Sequence, residues 1–321
     1  MTPAPFYTLP GDPIPSVRSF WLRTEDGLRL RAGYWAARDR GGAAGGASGT
    51  VLLFTGRTEY LEKYHQVALD LNAAGYDVLS VDWRGQGLSD RLQVNPRPGH
   101  AERFSDYQRD VVELVVAAQE LDLPRPWHML AHSMGGAIGL AALEGGLPVA
   151  SAAFSSPMWG IDFRGIPVPV VLALTGILVR LGRGGRPAPG SGGDDSFLLL
   201  DPFLKNLLTG DGPRWGRMVA ETATWPEIAI GGATSNWVRE AVLECRRLAA
   251  VPAPDLPALI ALGGRERIVS GAAIRRRAAD WPGARLMELP ESRHEPMMER
   301  DPIRTAFLQA AVELFGQYDH S

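Results

Sequence analysis

Short apolar segments alternate with helical patterns over much of this chain, and this alternation restricts the folds that the chain can adopt. In the clearest unit, an apolar run at residues 51–54 is followed by a helical pattern at 61–74 and a second apolar run at 76–81. Short buried strands that alternate with amphipathic helices form βαβ units, and such units build a parallel sheet. We therefore expect an α/β protein.

The rest of the chain predicts further elements of the same sheet. Two β-rich segments, residues 19–24 and 28–35, flank the turn Glu25-Asp26-Gly27 and predict an antiparallel hairpin at the sheet edge. The glycine-rich tract at 41–49 is expected to form a flexible surface loop. Later strands are predicted at 127–131, 150–155, 258–262 and 285–289, with helices at 105–121, 135–144, 272–280 and 302–315.

The alternation stops between about residue 160 and residue 254. Linkers rich in glycine, proline and arginine, such as residues 180–195, separate isolated helical patterns there. We interpret this region, which follows the sixth predicted strand, as an insertion and not as more sheet. The predicted organisation is an α/β core at 1–161 and 255–321 with an inserted helical region at 162–254.

Composition excludes several classes of protein. The 33 Lys and Arg against 36 Asp and Glu give a net charge of −3, which provides no basic surface for nucleic acid. The single cysteine, Cys245, cannot form an internal disulfide. Residues 1–6 lack the basic and apolar regions of a secretion signal, so we expect cytoplasmic residence. The longest apolar run, 166–179, is shorter than the roughly 20 residues that span a bilayer, but it could contact the inner face of a membrane peripherally.

The segment Ala131-His132-Ser133-Met134-Gly135-Gly136 lies between a predicted strand and a predicted helix. A sharp turn in that context holds a serine in a strained conformation, exposes its Oγ and leaves the next N–H at a helix N-terminus. Ala131 stands where this nucleophile-elbow pattern prefers glycine. The alternative interpretation of Ser133 is an ordinary helix N-cap.

A nucleophilic serine requires a base and an acid, and in strand-turn-helix sites of this kind they follow in the order serine, acid, histidine. Glu266 and His294 each follow a predicted parallel strand, at the sheet edge where Ser133 emerges. The simpler alternatives are surface roles for both residues, and Asp162 is a rival for the acid. The other histidines show no metal-ligand spacing, so we predict no metal.

Two further groups of candidate residues follow from this assignment. The developing oxyanion requires donors, which we expect to be the backbone N–H groups of Met134 and Arg57, although the turn containing Arg57 could be a plain connection. Leu172 and Ile177, in the apolar run, and Trp237, in a later helical pattern, are predicted as walls for an acyl chain.

Several longer patterns resemble the α/β-hydrolases, and within them the bacterial lysophospholipases and the monoacylglycerol lipases. The markers are Gly56-Arg57-Thr58-Glu59-Tyr60 with Lys63-Tyr64, Asp82-Trp83-Arg84-Gly85-Gln86-Gly87-Leu88-Ser89, Gly99-His100 with Arg103-Phe104 and Tyr107, the serine turn, and Trp237-Val238-Arg239-Glu240. The resemblance implies an α/β-hydrolase fold in which the inserted region is a cap over the active site. It also implies that Ser133 is the nucleophile, His294 the base and Glu266 the acid, where monoacylglycerol lipases usually carry Asp.

The resulting hypothesis is a serine carboxylester hydrolase that releases a fatty acid from a single-chain glycerolipid, a lysophospholipid or a monoacylglycerol. It requires no cofactor and no partner other than the lipid ester. Three alternatives remain open: a capped aminopeptidase, a small-ester esterase and a non-catalytic binding protein. An aminopeptidase would need carboxylates facing Ser133, for which the sequence offers Asp194, Asp195, Glu221 and Glu227.

Overall fold

A single nine-stranded sheet organises the chain in the computed structural model, which describes residues 1–37 and 47–319. Its spatial order is β1-β2-β3-β5-β4-β6-β7-β8-β9. The first three strands are antiparallel, β3 pairs antiparallel with β5, and the remaining pairs are parallel. The strands are β1 Thr2–Pro3, β2 Arg18–Arg23, β3 Arg29–Trp35, β4 Gly49–Phe54, β5 Tyr76–Val81, β6 Trp127–His132, β7 Ser151–Ser155, β8 Ala258–Gly263 and β9 Ala284–Leu289.

Helices cover both faces of this sheet. One apolar core lies under α1 and α9, and the other under α2, α3, α7 and α8. The five strands from β4 to β8 are buried along their whole length because each has helices on both sides. The helices are α1 His65–Ala73, α2 Tyr107–Glu120, α3 Met134–Glu144, α4 Val168–Arg180, α5 Phe197–Leu200, α6 Gly212–Thr224, α7 Ser235–Ala249, α8 Gly271–Ala279 and α9 Asp301–Gly316.

The predicted α/β architecture is confirmed, including the edge hairpin and the return of parallel strands late in the chain. Four helices, α4 to α7, lie between β7 and β8, and no strand forms in that interval, which the structure describes throughout. The two-residue strand β1 was not predicted, so the sixth predicted strand is β7. The domain boundaries at 162 and 254 stay a prediction.

Two further expectations concern particular segments. The apolar run at 166–179 forms the helix Val168–Arg180, with Pro169 in its first turn, where its missing N–H costs no hydrogen bond. Most of the predicted glycine-rich loop, residues 41–46, lies outside the described residues. Within residues 1–37 and 47–319, no helix has the length and apolar character needed to cross a membrane.

Candidate active site

Ser133 occupies the sharp turn between β6 and α3. Its φ of +49° and ψ of −116° place a non-glycine residue in a sparsely populated backbone region. The surrounding backbone holds this conformation, since the N–H of Ser133 donates to the carbonyl of Ser155 and its carbonyl accepts from the N–H groups of Gly136 and Met158. The turn therefore has the strained geometry that the sequence pattern predicts.

Two glycines after the serine allow α3 to approach its neighbours closely. A Cβ at Gly135 would lie 2.4 Å from the carbonyl oxygen of Phe54, and one at Gly136 would lie 2.5 Å from Cβ of Pro157. Contacts that short do not occur between folded residues. Small residues are thus required here by packing against β4 and against the loop after β7.

The structure brings Ser133, His294 and Glu266 together at the carboxyl ends of β6, β9 and β8. Nε2 of His294 lies 2.9 Å from Oγ of Ser133, and Nδ1 of His294 lies 2.7 Å from Oε2 of Glu266. All three side chains are buried. With Nδ1–H donating to Glu266, Nε2 is left as the acceptor for the serine hydroxyl, which is the arrangement that a general base requires.

The second oxygen of Glu266 is fixed by backbone donors. Its Oε1 accepts hydrogen bonds from the N–H groups of Arg267, Ile268 and Val269, at 2.6 to 3.1 Å. Burial raises the pKa of Glu266, but the interactions with His294 and these N–H groups outweigh it and lower the pKa to about 2. Glu266 is therefore a carboxylate at neutral pH.

The charge of Glu266 also acts on the histidine. Burial by itself lowers the pKa of His294, but Glu266 and, more weakly, Glu295 and Glu59 outweigh it and raise the pKa above its ordinary value. Burial likewise lowers the pKa of the neighbouring His132, in this case to about 3, so that ring is neutral. The ring centroids of the two histidines lie 4.9 Å apart.

The rival acid, Asp162, lies elsewhere. It is exposed and its Oδ1 accepts a hydrogen bond from the N–H of Arg164. The carboxylate that contacts His294 is that of Glu266.

The turn containing Arg57 is held in place by one glutamine from the loop after β5. The side chain of Gln86 accepts from the N–H of Thr58 and donates to the carbonyl of Gly56. Within the described residues, neither the backbone N–H of Arg57 nor that of Met134, the first residue of α3, donates a hydrogen bond. Both N–H groups thus remain available as donors. Gln86 belongs to a marker segment, but no sequence pattern indicates that it holds this turn.

The pocket that contains Ser133 and His294 has a volume of about 290 Å³. Trp237 lines it, and its role as a wall for an acyl chain stays a prediction. Leu172 and Ile177 do not line this pocket: they line a separate depression between α4 and α7, together with Arg239 and Leu243. The apolar residues that line the serine pocket instead are Met158, Ile161, Phe197, Leu207, Leu208, Ile268 and Val269.

The inserted region also supports the histidine loop directly. The N–H of His294 donates to the carbonyl of Leu207, and the N–H of Glu295 donates to the carbonyl of Leu208. The segment that supplies two apolar wall residues therefore also fixes the backbone of the candidate base.

A buried ionic cluster borders the pocket. The ammonium of Lys63 lies 2.7 Å from Oε1 of Glu59 and 2.7 Å from Oε1 of Glu295, and the hydroxyl of Tyr64 donates to Glu59. The oxygens of Glu59 and Glu295 and a ring nitrogen of His132 all lie within 4.8 Å of one another, a spacing that could suit a metal ion. Lys63 already supplies a positive charge to both carboxylates.

Comparisons with known proteins show which proteins this chain is similar to. The profile of the Hydrolase_4 family, described as "Serine aminopeptidase, S33", matches residues 45–301. Lysophospholipase L2 of Escherichia coli K12 is 35% identical over 281 residues, which cover 84% of this chain and 81% of that protein. The probable lysophospholipase L2 of Haemophilus influenzae is 32% identical over 262 residues, covering 81% of each. The crystal structure of a soluble variant of monoglyceride lipase from Saccharomyces cerevisiae superposes with a TM-score of 0.74 at 17% identity, covering 99% of this chain and all of the other.

Proposed function

This chain belongs to the Hydrolase_4 family of α/β-hydrolases, and from that premise we propose that it hydrolyses the ester bond of single-chain glycerolipids with Ser133 as the nucleophile. The enzyme is a carboxylic ester hydrolase. Two of its relatives carry the name lysophospholipase L2, and a structural neighbour is a monoglyceride lipase. The shared chemistry of their substrates is one acyl chain esterified to a glycerol backbone.

In the proposed reaction, Oγ of Ser133 attacks the ester carbonyl carbon while Nε2 of His294 takes the hydroxyl proton. The tetrahedral oxyanion accepts hydrogen bonds from the N–H groups of Met134 and Arg57. The ester C–O bond breaks and the alcohol leaves with the proton from His294. Water, deprotonated by His294, then attacks the carbonyl carbon of the acyl-enzyme. The bond from this carbon to Oγ breaks, the fatty acid is released, and His294 returns the proton to Oγ of Ser133. Glu266 stabilises the imidazolium in both steps.

The observation that best supports this proposal is the continuous hydrogen-bond chain from Ser133 through His294 to Glu266 at the floor of an apolar pocket. These contacts are the ones that a nucleophile, a base and an acid require. The apolar walls suit an acyl chain, which gains about 0.8 kcal/mol for each CH₂ that it buries.

An aminopeptidase is the second candidate, because the family description names that activity. The carboxylates that the sequence suggested do not line the serine pocket, whereas Glu59, Glu295 and Asp201 do. Glu59 and Glu295 are bonded to Lys63, so a substrate ammonium would have to compete with a buried lysine there, and Asp201 is exposed to solvent. The apolar walls of the pocket and the lysophospholipase relatives favour ester hydrolysis.

Peripheral contact with a membrane belongs to the same proposal. Val170, Leu174, Ile177 and Leu181 follow one face of α4 and its C-terminal turn, and each exposes between 45% and 65% of its surface. We call these four residues the α4 stripe. The exposed side chains of Arg164, Arg180 and Arg183 flank it, and such a combination suits an interfacial helix at an anionic surface.

The experiment that tests the function is a side-by-side assay of purified enzyme on five substrates. These are lysophosphatidylcholine, lysophosphatidylethanolamine, 1-oleoylglycerol, p-nitrophenyl butyrate and an aminoacyl p-nitroanilide. We expect the three glycerolipids to be hydrolysed with the highest kcat/KM. Cleavage of the anilide alone would support the aminopeptidase, and preference for the butyrate over every lipid would support a small-ester esterase.

A further inference from the structure

Arg57 lines the serine pocket, and its guanidinium forms no ion pair with a carboxylate of the described residues. Its Nη2 donates to the carbonyl of Gly231 at 2.7 Å, and its Cζ lies 5.0 Å from the ring centroid of Trp237. Its Nε is buried and has no acceptor among the described residues. The carboxylates that border this pocket are Glu59 and Glu295, which are neutralised by Lys63, and Asp201, which is exposed to solvent. No ion pair joins any of them to Arg57.

A buried cation in this position raises the free energy of the folded protein unless an anion pairs with it. Burial lowers the pKa of Arg57 only to about 10, so the side chain is charged at neutral pH. A Cβ at Gly99 would lie 2.6 Å from Nη2 of Arg57, so any other residue at this position would require the guanidinium to shift. The charge is therefore accommodated by the fold and left without a counterion at the edge of the reaction site.

From this geometry we infer that the guanidinium of Arg57 binds the phosphate of a phosphate-bearing headgroup on the alcohol side of the scissile ester. The inference rests on the proposed function, because it concerns the leaving alcohol of the same substrate. A guanidinium presents planar, paired donors that match phosphate oxygens. The backbone N–H of the same residue faces the oxyanion in the proposed reaction, so the two anionic groups are separated by the length of one arginine side chain.

The proposal makes Arg57 a specificity-determining residue between lysophospholipids and monoacylglycerols. Both substrates present the same ester to Ser133, but only the first carries the phosphate. The selectivity ratio, kcat/KM for 1-oleoyl lysophosphatidylethanolamine divided by that for 1-oleoylglycerol, isolates this contribution. Any effect of the substitution on the oxyanion donors acts on both substrates and cancels in the ratio.

The first experiment measures this ratio in mixed micelles of a neutral detergent. We expect Arg57→Gln to lower it by about 10- to 100-fold, with Arg57→Lys intermediate because lysine keeps the charge but loses the paired donors. Arg239→Gln is the matched control: Arg239 lies two residues after Trp237 on α7 and pairs with Glu240, so its loss should not change the ratio. An unchanged ratio in Arg57→Gln would overturn the inference while leaving lipid hydrolysis intact.

A second experiment reads binding without catalysis. Calorimetry on Ser133→Ala should show binding of glycerol 3-phosphate but not of glycerol, and Ser133→Ala/Arg57→Gln should lose it. Binding of oleate in place of glycerol 3-phosphate, or glycerol 3-phosphate binding that survives Arg57→Gln, would contradict a phosphate site at Arg57. This readout stands even if none of the tested esters is hydrolysed, so it separates failure of the inference from failure of the proposed function.

Discussion

Nε2 of His294 lies 2.9 Å from Oγ of Ser133, although the two residues are 161 positions apart in the chain. The contact joins the loop after β9 to the strained turn after β6. Two backbone hydrogen bonds from His294 and Glu295 to the inserted region hold the histidine side of the contact. The serine and histidine are thus positioned by separate parts of the fold.

Replacing Ser133 with alanine should remove ester hydrolysis and leave the fold intact. Because the groups of a triad act as a unit, we expect a loss of about 10³- to 10⁶-fold in kcat. A fluorophosphonate probe should label the wild-type enzyme at Ser133, as read by peptide mass spectrometry. Ser105→Ala, an exposed serine at the start of the α2 region, is the control and should label normally. Full activity in Ser133→Ala would exclude it as the nucleophile.

Glu266→Gln should reduce kcat by about 10²- to 10⁴-fold, because an amide neither stabilises the imidazolium nor fixes the tautomer of His294. The parallel variant Asp162→Asn removes the rival carboxylate, which is exposed and bonded to the N–H of Arg164. It should retain most of the wild-type rate. If Asp162→Asn were the inactive variant and Glu266→Gln the active one, the acid would be Asp162, in the loop after β7.

Glu295 predicts a specific pH dependence. Its negative charge is one of the interactions that raise the pKa of His294, and the histidine must be unprotonated to act as base. Glu295→Gln should therefore lower that pKa and shift the acidic limb of the kcat/KM profile to lower pH. Glu291→Gln, which removes an exposed carboxylate paired with Arg265, should not shift the limb. Movement toward higher pH would show that Glu295 does not act on His294 through its charge.

Lys63→Met should destabilise the protein, since it leaves two carboxylates buried without their cation. Breaking a buried ion pair in this way costs about 3–5 kcal/mol. Urea denaturation followed by circular dichroism measures the loss, and Lys63→Met/Glu295→Gln should recover part of it. The chain's other lysine, Lys205, is exposed, so Lys205→Met should leave the midpoint unchanged. Equal urea midpoints for Lys63→Met and Lys205→Met would mean that the ionic cluster does not contribute to stability.

Local patterns in the sequence were sufficient to predict the sheet and the serine turn. The strands β4 to β8 are rich in apolar residues because both of their faces are covered. The turn at Ser133 is followed by small residues because α3 packs against Phe54 and Pro157. Chain order alone suggested Glu266 and His294, since parallel strands end at the same sheet edge. In each case, the signal in the sequence is local, although the contacts that cause it join distant parts of the chain.

The pocket walls and the ionic cluster depend on contacts that a sequence does not display. Leu172 and Ile177 are as apolar as Leu207 and Leu208, and nothing in their spacing shows which pair faces Ser133. Lys63 and Glu59 have the spacing of an ordinary surface helix pair. Only the fold shows that Glu295, which is 232 positions from Lys63, completes a buried cluster with them.

Two substitutions in the inserted region separate the acyl wall from the proposed membrane surface. Leu207 lines the serine pocket, so Leu207→Asp should depress hydrolysis of oleoyl lipids far more than that of p-nitrophenyl butyrate, because only the long chain requires the apolar wall.

Ile177 belongs to the α4 stripe and exposes 54% of its surface to solvent. Ile177→Asp should instead weaken sedimentation with phosphatidylglycerol vesicles, and it should lower hydrolysis of vesicle-bound lysolipid more than hydrolysis of the same lipid as dilute monomer. The carboxylate stays hydrated on this exposed face of the free enzyme, so the fold should tolerate it, whereas contact with a bilayer would have to desolvate it. Unchanged vesicle binding in Ile177→Asp would exclude the α4 stripe as the contact surface. A selective loss of long-chain turnover in this variant would indicate that Ile177 contacts the acyl chain of the substrate.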